Sequence, residues 1–157
     1  MGTHSTINHS YTIKEVAKLT GLPESKLRYY EGIGIIEPIK RDASSKHRVY
    51  SEDNLRVLDS IACLSATGMS ISDMREYIQN RNNGTEAAKE QISLLEGQQK
   101  RLADEARYLK IRQQYVKLKI AYWKAVDEND DAVVTDTGCR ARQLAQDLKR
   151  LSKNSAN

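Results

Sequence analysis

Apolar residues recur every seven positions through much of the second half of the chain. One series is Leu95, Leu102, Leu109, Val116 and Trp123; its companion is Ile92, Gln99, Ala106, Gln113 and Ile120. Four sustained heptads predict a long helix starting near Thr85 that forms a coiled coil over residues 84–124. A single helix packed on its own globule is the alternative. Nothing else in the chain is large enough to cover so long a stripe, so we expect a dimer, antiparallel or parallel.

The first half of the chain shows shorter apolar periods separated by turn signals. Thr12 and Glu15 have the spacing of a capping box, which predicts a helix that ends at Gly21. Pro23 suits the first turn of a second helix, which should end near Gly32 and Gly34. Two helices joined by a tight turn predict a helix-turn-helix.

Two β-prone runs follow, residues 35–41 and 46–50, joined by the polar turn 42–45. They predict a hairpin that forms a basic wing. Ser51 can cap a third helix ending near Thr67, and Ser70 a fourth helix ending near Asn80. The predicted fold is therefore mainly α: a winged helix-turn-helix DNA-binding domain over residues 11–80, followed by a long coiled-coil dimerisation helix.

The two ends of the chain lack such patterns. Residues 1–10 are polar and aperiodic, which predicts a disordered leader. Residues 125–157 begin with an acidic linker at Asp127–Asp131. A short C-terminal helix, capped around Thr135–Thr137, and a frayed tail should follow.

Composition narrows the classes of function. The 157 residues are 39% hydrophobic and include no phenylalanine, which favours a small domain with an extension over one large core. Neither a membrane-length apolar run nor a signal-peptide pattern is visible, so we expect a cytoplasmic protein. Cys63 and Cys139 lie far apart without clustered histidines, and we expect two thiols and no metal or cofactor.

Catalysis is not expected either. No Ser/His/Asp or Cys/His constellation and no phosphate-binding loop is visible in the sequence. His47 falls in the predicted wing, where phosphate contact or simple exposure explains it better than catalysis. The sequence therefore predicts that the chain is not an enzyme.

Charge points instead to nucleic acid. The net charge is only +4, but residues 26–48 contain six cations (Lys26, Arg28, Lys40, Arg41, Lys46 and Arg48) against three acids (Glu31, Glu37 and Asp42). The second helix places Lys26 and Arg28 beside Tyr29 and Tyr30. Cations bind phosphates or guanine edges, and tyrosine hydroxyls donate to phosphate oxygens. A solvated helix with a buried aromatic pair is the alternative.

Four motifs occur in one order: YTIKEVAKLTGL, LRYYEGIGII, HRVYSEDNL and ATGMSISDMREYI. With the coiled coil after them, roughly Tyr11 to Trp123 resembles the MerR family of transcription regulators. The resemblance implies a homodimer joined by an antiparallel coiled coil. It also implies double-stranded promoter DNA with an overlong spacer as the partner. Distortion of that DNA would realign the elements read by RNA polymerase, an indirect partner, and part of the specificity would come from DNA deformability.

The resemblance assigns site residues by position. Arg28, Tyr29 and Tyr30 match the recognition-helix contacts, and Arg48 and Tyr50 match the phosphate contacts of the wing. Lys26 and Arg41 are added on charge alone. The sequence departs from the family pattern at two positions: Pro23 replaces a hydroxyl residue, and Ser65 stands where relatives often have a basic residue.

The effector is less constrained. Metal-sensing members of the family place cysteine pairs near the end of the dimer helix, where this chain has only Cys139. The redox-sensing branch needs four cysteines, and this chain has two. The multidrug-binding branch needs a large C-terminal domain, which the residues after the coiled coil are too few to form. The remaining resemblance is to the short branch that senses aldehydes and other electrophiles through a cysteine at the position of Cys63. A helical wheel places Cys63 opposite Leu55, Leu58 and Ile61, away from the core face. Three alternatives stay open: a cysteine that only fills a subunit contact, a non-covalent effector, and a coiled-coil protein-interaction module.

Overall fold

A computed structural model describes residues 9–154 of the chain, which are mainly helical. The elements are β1 (Ser10–Tyr11), α1 (Ile13–Thr20), α2 (Glu24–Gly32), β2 (Tyr50–Ser51), α3 (Glu52–Ala66), α4 (Ile71–Asn80), a 3-10 helix (Arg81–Ala87), α5 (Ala88–Asp127) and α6 (Asp131–Asn154). The chain divides into two compact units, up to Leu95 and from Glu96 onward. The predicted helix-turn-helix domain followed by a long helix is confirmed.

The predicted signals at the ends of α1 are all used. The Thr12 hydroxyl accepts from the Glu15 amide at 3.3 Å, and the Glu15 carboxylate accepts from the Thr12 amide at 2.7 Å. That backbone hydrogen bond from Thr12 lowers the pKa of Glu15. Gly21 ends the helix at φ 72°, the left-handed region that glycine enters without steric cost. Pro23 immediately precedes α2. Its missing backbone N–H costs nothing at this position, because the amides at the start of a helix have no intrahelical carbonyl to bond to.

The wing is a hairpin held across its strands by two backbone hydrogen bonds. The Val49 amide donates to the Lys40 carbonyl at 2.8 Å and the Asp42 amide donates to the His47 carbonyl at 2.9 Å, and together they make the antiparallel bridge between Arg41 and Arg48. The Asp42 carboxylate accepts from the Ser45 amide at 2.7 Å, which orders the turn. The predicted turn therefore forms, although the strands reduce to a single bridge.

A short strand pair closes the base of the wing and corrects the prediction for the start of the chain. Ser10 pairs with Ser51 and Tyr11 pairs with Tyr50 in antiparallel register. The Tyr11 hydroxyl also donates to Glu52 at 2.8 Å. Assigning Ser10 to a disordered leader was wrong, because its backbone pairs with the end of the wing. Residues 1–8 of that leader lie outside the described residues.

The core of the first unit is built from the inward faces of α1 to α4 and the residues after α2. Its buried members are Val16, Leu27, Tyr30, Ile35, Ile36, Ile39, Tyr50, Leu58, Ile61, Met69 and Met74. Burial of these side chains provides the main stabilisation of the domain. Because the core fixes α2 and the wing on one frame, their outward side chains have defined positions.

The long helix starts later than the heptads predicted. Gly84 adopts φ 56° and ψ −134°, a combination that interrupts the helical path, and residues 81–87 form 3-10 turns. The regular helix α5 therefore begins at Ala88, not at Thr85, and continues for 40 residues.

The C-terminal helix is longer than predicted and begins earlier. The Asp130 carboxylate accepts from the Val133 amide at 3.1 Å and caps α6, which then continues for 24 residues. The predicted cap at Thr135–Thr137 was wrong. Those hydroxyls instead donate back to helix carbonyls, Thr135 to Asp131 at 2.9 Å and Thr137 to Val133 at 2.6 Å. No helix among the described residues is long and apolar enough to cross a membrane.

Candidate nucleic-acid interface

The outer face of α2 combines cations with one aromatic side chain. Because α2 buries Leu27 and Tyr30, its intervening residues Lys26, Arg28 and Tyr29 are exposed. The Lys26 ammonium lies 5.6 Å from the centre of the Tyr29 ring. This cation–π contact holds the lysine beside the tyrosine on one surface.

Arg28 supplies the guanidinium of this face. Half of its side chain is exposed, and it pairs with Glu24 one turn earlier at 2.9 Å. An exposed i,i+4 pair contributes little to stability, roughly 0.3–0.5 kcal/mol. Arg28 can therefore exchange its carboxylate partner for a phosphate or a guanine edge at low cost.

The wing supplies a second group of cations. Arg41 donates to the Lys46 carbonyl at 3.1 Å, so its guanidinium is oriented by the turn that it flanks. Lys40 and Lys46 are exposed on the same hairpin, and Lys46 sits at φ 61° in the turn itself. Neither lysine was among the predicted contacts. The excess of cations over residues 26–48 could have identified both lysines from the sequence. Only the hairpin geometry shows which cations of the wing face solvent.

Arg48 joins the two parts of the surface. Its Nε donates to the Glu31 carboxylate at 2.5 Å, and the same carboxylate accepts from the Ile39 amide at 3.1 Å. The side chains of Arg48 and Glu31 are only 20% and 13% exposed. Arg48 thus ties the wing to α2, and any phosphate contact by it would use the part of the guanidinium that Glu31 leaves open.

Two predicted contacts are contradicted by burial. Tyr30 and Tyr50 are both 0% exposed and belong to the core, so neither hydroxyl can reach DNA in this structure. Tyr30 donates to the Ser65 hydroxyl at 3.4 Å. Burial raises the pKa of Tyr50, whose hydroxyl has no hydrogen-bond partner within the described part of the chain. The alternative of a buried aromatic residue on this helix thus holds for Tyr30 but not for Tyr29.

The predicted sensor residue lies outside this surface. Cys63 is exposed on α3, as the helical wheel predicted, and Cys139 is exposed on α6. Among the described residues no group of three or more histidine, cysteine or acidic side chains is placed to hold a metal ion.

Comparison of the sequence with known proteins finds a family model and relatives that match this domain. Residues 11–81 match the family model described as MerR HTH family regulatory protein. The regulator AdhR of Bacillus subtilis is 34% identical over 92 residues, which are 59% of this chain and 65% of AdhR. An uncharacterised HTH-type regulator of Haemophilus influenzae is 27% identical over 115 residues, which are 73% of this chain and 84% of that protein. The chain thus spans just under two thirds of AdhR.

Solved structures extend the similarity beyond the domain. HiNmlR, described as a MerR family regulator lacking the sensor domain and bound to promoter DNA, matches with a TM-score of 0.61 and 27% identity. The match covers 80% of this chain and 96% of HiNmlR. A MerR family regulator from Bacillus thuringiensis matches with a TM-score of 0.57 and 27% identity, covering 72% of this chain and 98% of that one.

Proposed function

Because this chain belongs to the MerR family of helix-turn-helix regulators, we propose that it is a homodimeric transcription regulator that binds promoter DNA through α2 and the wing. The observation that carries the proposal is the placement of exposed Lys26, Arg28 and Tyr29 on α2 of the same domain that exposes Arg41 on its wing. The matched relatives are named as transcriptional regulators, not as enzymes.

Binding to DNA through these cations has a measurable signature. Each phosphate that a cation neutralises releases counterions, so affinity falls steeply as salt rises. Fluorescence anisotropy with a fragment from upstream of the protein's own gene, titrated at several salt concentrations, measures that slope. A fragment of scrambled sequence is the control for specificity. Salt-independent binding, or equal affinity for both fragments, would contradict a sequence-specific DNA regulator and favour a protein-interaction module.

Dimerisation through α5 is the second part of the proposal. The heptad side chains are exposed in the single chain: Leu102 is 39% exposed and Trp123 is 63% exposed. A contiguous apolar stripe on a soluble helix is typical of a subunit interface. Leu102→Asp places a charge in that seam and should convert the dimer to a monomer while the first unit stays folded. Sedimentation of this variant as an intact dimer would exclude α5 as the interface; Leu19→Asp, at an exposed leucine of α1, is the matched control.

Regulation by DNA distortion is the third part. A dimer that contacts two half-sites on DNA with an overlong spacer can change transcription by bending and untwisting it, with RNA polymerase as an indirect partner. Promoter fragments that differ only in spacer length should bind with similar affinity but respond differently in transcription in vitro. An unchanged transcriptional response across spacer lengths would contradict distortion as the mechanism.

Cys63 is the proposed sensor of an electrophile. It is exposed on α3, away from the core face formed by Leu58 and Ile61, so its thiol is accessible to a reagent. Cys63→Ser should abolish the transcriptional response to an aldehyde such as formaldehyde or methylglyoxal, whereas Cys139→Ser should leave it intact. An undiminished response in Cys63→Ser would remove this cysteine from the mechanism.

A non-covalent effector is the second candidate, and one feature of the second unit favours it. A groove of about 620 Å³ runs between α5 and α6. Its lining has three apolar residues, Leu118, Ala121 and Leu144, and six polar or charged ones, Gln114, Lys117, Thr137, Arg140, Gln143 and Asp147. Small-molecule sites combine apolar walls with polar groups that orient the ligand, and this mostly polar lining suits a polar ligand. Leu144→Trp would fill the groove, and a response that survives this variant would argue against a ligand there.

A further inference from the structure

α5 and α6 form a helical hairpin within the second unit. A tight turn joins them: Asn129 adopts φ 55°, and the Asp130 amide donates to the Ala125 carbonyl at 2.9 Å. So short a connection makes the two helices antiparallel neighbours. They pack closely, since a methyl group added to Gly138 would lie 3.5 Å from the Tyr122 ring. The groove of about 620 Å³ lies along this contact, with one wall from each helix.

The groove opens away from the apolar stripe of α5. On a helical wheel at about 100° per residue, Leu118 lies about 160° from the stripe residues Val116 and Ile120. The groove residues Gln114 and Ala121 lie within about 60° of Leu118 on the same wheel. A partner that covers the stripe therefore leaves the groove accessible to a small molecule.

The apolar and the cationic residues of the groove occupy different depths. Leu118, Ala121 and Leu144 are half-buried between the two helices, so they form the floor. Lys117 of α5 and Arg140 of α6 are exposed, so each wall presents a cation at the rim. A ligand that lies on the floor therefore meets a positive charge from both helices.

Both cations are available to a ligand. Among the residues that the structure describes, Lys117 has no acidic partner within ion-pair distance. Arg140 pairs with Asp136 at 3.3 Å, but the two side chains are 61% and 63% exposed. An exposed pair of this kind holds its guanidinium weakly, so Arg140 can bind a carboxylate of a ligand instead.

The acid that lines the groove does not cancel these charges. Asp147 pairs with Arg150 at 2.9 Å, and Arg150 lies outside the lining. The α5 wall adds to the positive potential, because residues 106–126 contain six cations and no acid. The groove therefore favours an anion over a neutral or cationic ligand.

We propose that the groove binds a small organic anion, whose carboxylate lies between Lys117 and Arg140 and whose apolar body lies on Leu118, Ala121 and Leu144. This deepens the second candidate effector, and its regulatory role rests on the proposed function. An arginine can bind a carboxylate through two parallel hydrogen bonds, while a lysine supplies a compact point charge. The volume of about 620 Å³ falls in the range of small-molecule pockets.

Three probes of similar shape that differ in charge test the preference for an anion. Naphthylacetate carries a carboxylate, naphthylacetamide is its neutral amide, and naphthylethylamine is the corresponding cation at neutral pH. Isothermal titration calorimetry on the full-length protein should give naphthylacetate an affinity about tenfold higher than that of the amide, and the amine should bind most weakly. Equal affinities for the three probes would overturn the proposal, because the two cations would then contribute nothing.

Substitutions test where the carboxylate binds. Lys117→Gln and Arg140→Gln should each lower the affinity for naphthylacetate about tenfold and leave the affinity for the amide unchanged. Lys110→Gln is the matched control, because it removes a lysine of α5 one heptad earlier, outside the groove. A loss of affinity in Lys110→Gln equal to that in Lys117→Gln would show a diffuse effect of charge and would contradict the site.

A gain of affinity cannot come from damage to the fold. Asp147→Asn removes the acid of the groove, and Asp136→Asn releases Arg140 from its partner. Each substitution should therefore tighten naphthylacetate binding about threefold. Unchanged or weaker binding in both variants would exclude the position assigned to the carboxylate.

Two further measurements separate the site from its regulatory role. Absence of naphthylacetate binding in protein that still binds its promoter fragment would overturn the groove site and leave the DNA-binding regulator in place. Binding as predicted, with transcription in vitro unchanged by naphthylacetate, would support the site and remove it from regulation.

Discussion

The Nε of Arg48 donates a 2.5 Å hydrogen bond to the Glu31 carboxylate, and this contact joins the wing to α2. Glu31 also accepts from the Ile39 amide, so one carboxylate holds both the start and the end of the wing. Both side chains are mostly buried. Glu31, which was not among the predicted DNA contacts, therefore links the wing to α2.

Glu31→Gln should destabilise the first unit by about 1–3 kcal/mol, because a partly buried guanidinium loses its charged acceptor. Urea denaturation followed by circular dichroism measures the change. Glu24→Gln, which removes the exposed partner of Arg28, should cost roughly 0.5 kcal/mol or less. Equal changes in the free energy of unfolding for the two substitutions would show that the Glu31–Arg48 contact contributes no more to stability than the exposed Glu24–Arg28 pair.

Arg28→Ala and Arg48→Ala should weaken DNA binding for different reasons. Arg28 is exposed, so its loss should lower affinity, by about 1–3 kcal/mol if it reads a base, with little change in stability. Arg48→Ala should lower both affinity and stability, because Glu31 would be left without its partner. Anisotropy titrations with matched denaturation curves separate the two effects. Arg150→Ala, at an exposed pair in α6, is the control, and a loss of binding in that variant equal to that of Arg28→Ala would argue against α2 as the interface.

Gly84→Ala should destabilise the protein by about 1–3 kcal/mol, since φ 56° with ψ −134° is a conformation that essentially only glycine adopts. Space is not the obstacle, because an added methyl group would meet nothing within 4 Å at Gly84 or at Gly32. Gly32→Ala lies in α2 without a positive φ and should be neutral or slightly stabilising. Chemical denaturation measures the free energy of unfolding of both variants. The difference between them isolates the cost of placing a non-glycine residue at the positive φ of position 84.

Asp42 should make the wing turn sensitive to acid. Hydrogen bonds from the Ser45 amide, the Ser44 and Ser45 side chains and the Ser44 amide hold the pKa of Asp42 far below its ordinary value of 3.8. A carboxyl whose pKa is lowered by folding contributes stability above its ordinary pKa and loses that contribution as pH falls through the folded value. Carbon-13 NMR titration should show Asp42 still ionised at pH 3, and the Ser45 amide should exchange faster in Asp42→Asn at neutral pH. Half-protonation near pH 3.8 would contradict the ordered turn.

The local elements of the first unit were predictable from sequence because short-range chemistry determines them. Thr12 and Glu15 needed only each other to cap α1, and Gly21 needed only its own backbone freedom to end it. The heptads of α5 were visible for the same reason, since helical periodicity alone groups Leu95 with Leu102 and Leu109. Exposure of Cys63 also followed from the helical wheel, because the core of α3 is a single apolar arc.

The features that only the tertiary structure decides depend mostly on contacts between residues distant in the chain. Tyr29 and Tyr30 are adjacent and chemically equal, yet one is exposed and the other buried, because α2 presses one of its faces against the core. Tyr50 is buried because the end of the wing packs into the same core, and Ser10 and Tyr11 form a strand only because Tyr50 and Ser51 lie beside them. The start of α6 at Asp131 depends on Asp130 turning back onto the Val133 amide. Burial and pairing depend on which distant surfaces meet, and that information is spread over the whole chain, whereas caps and heptads are determined within a few residues.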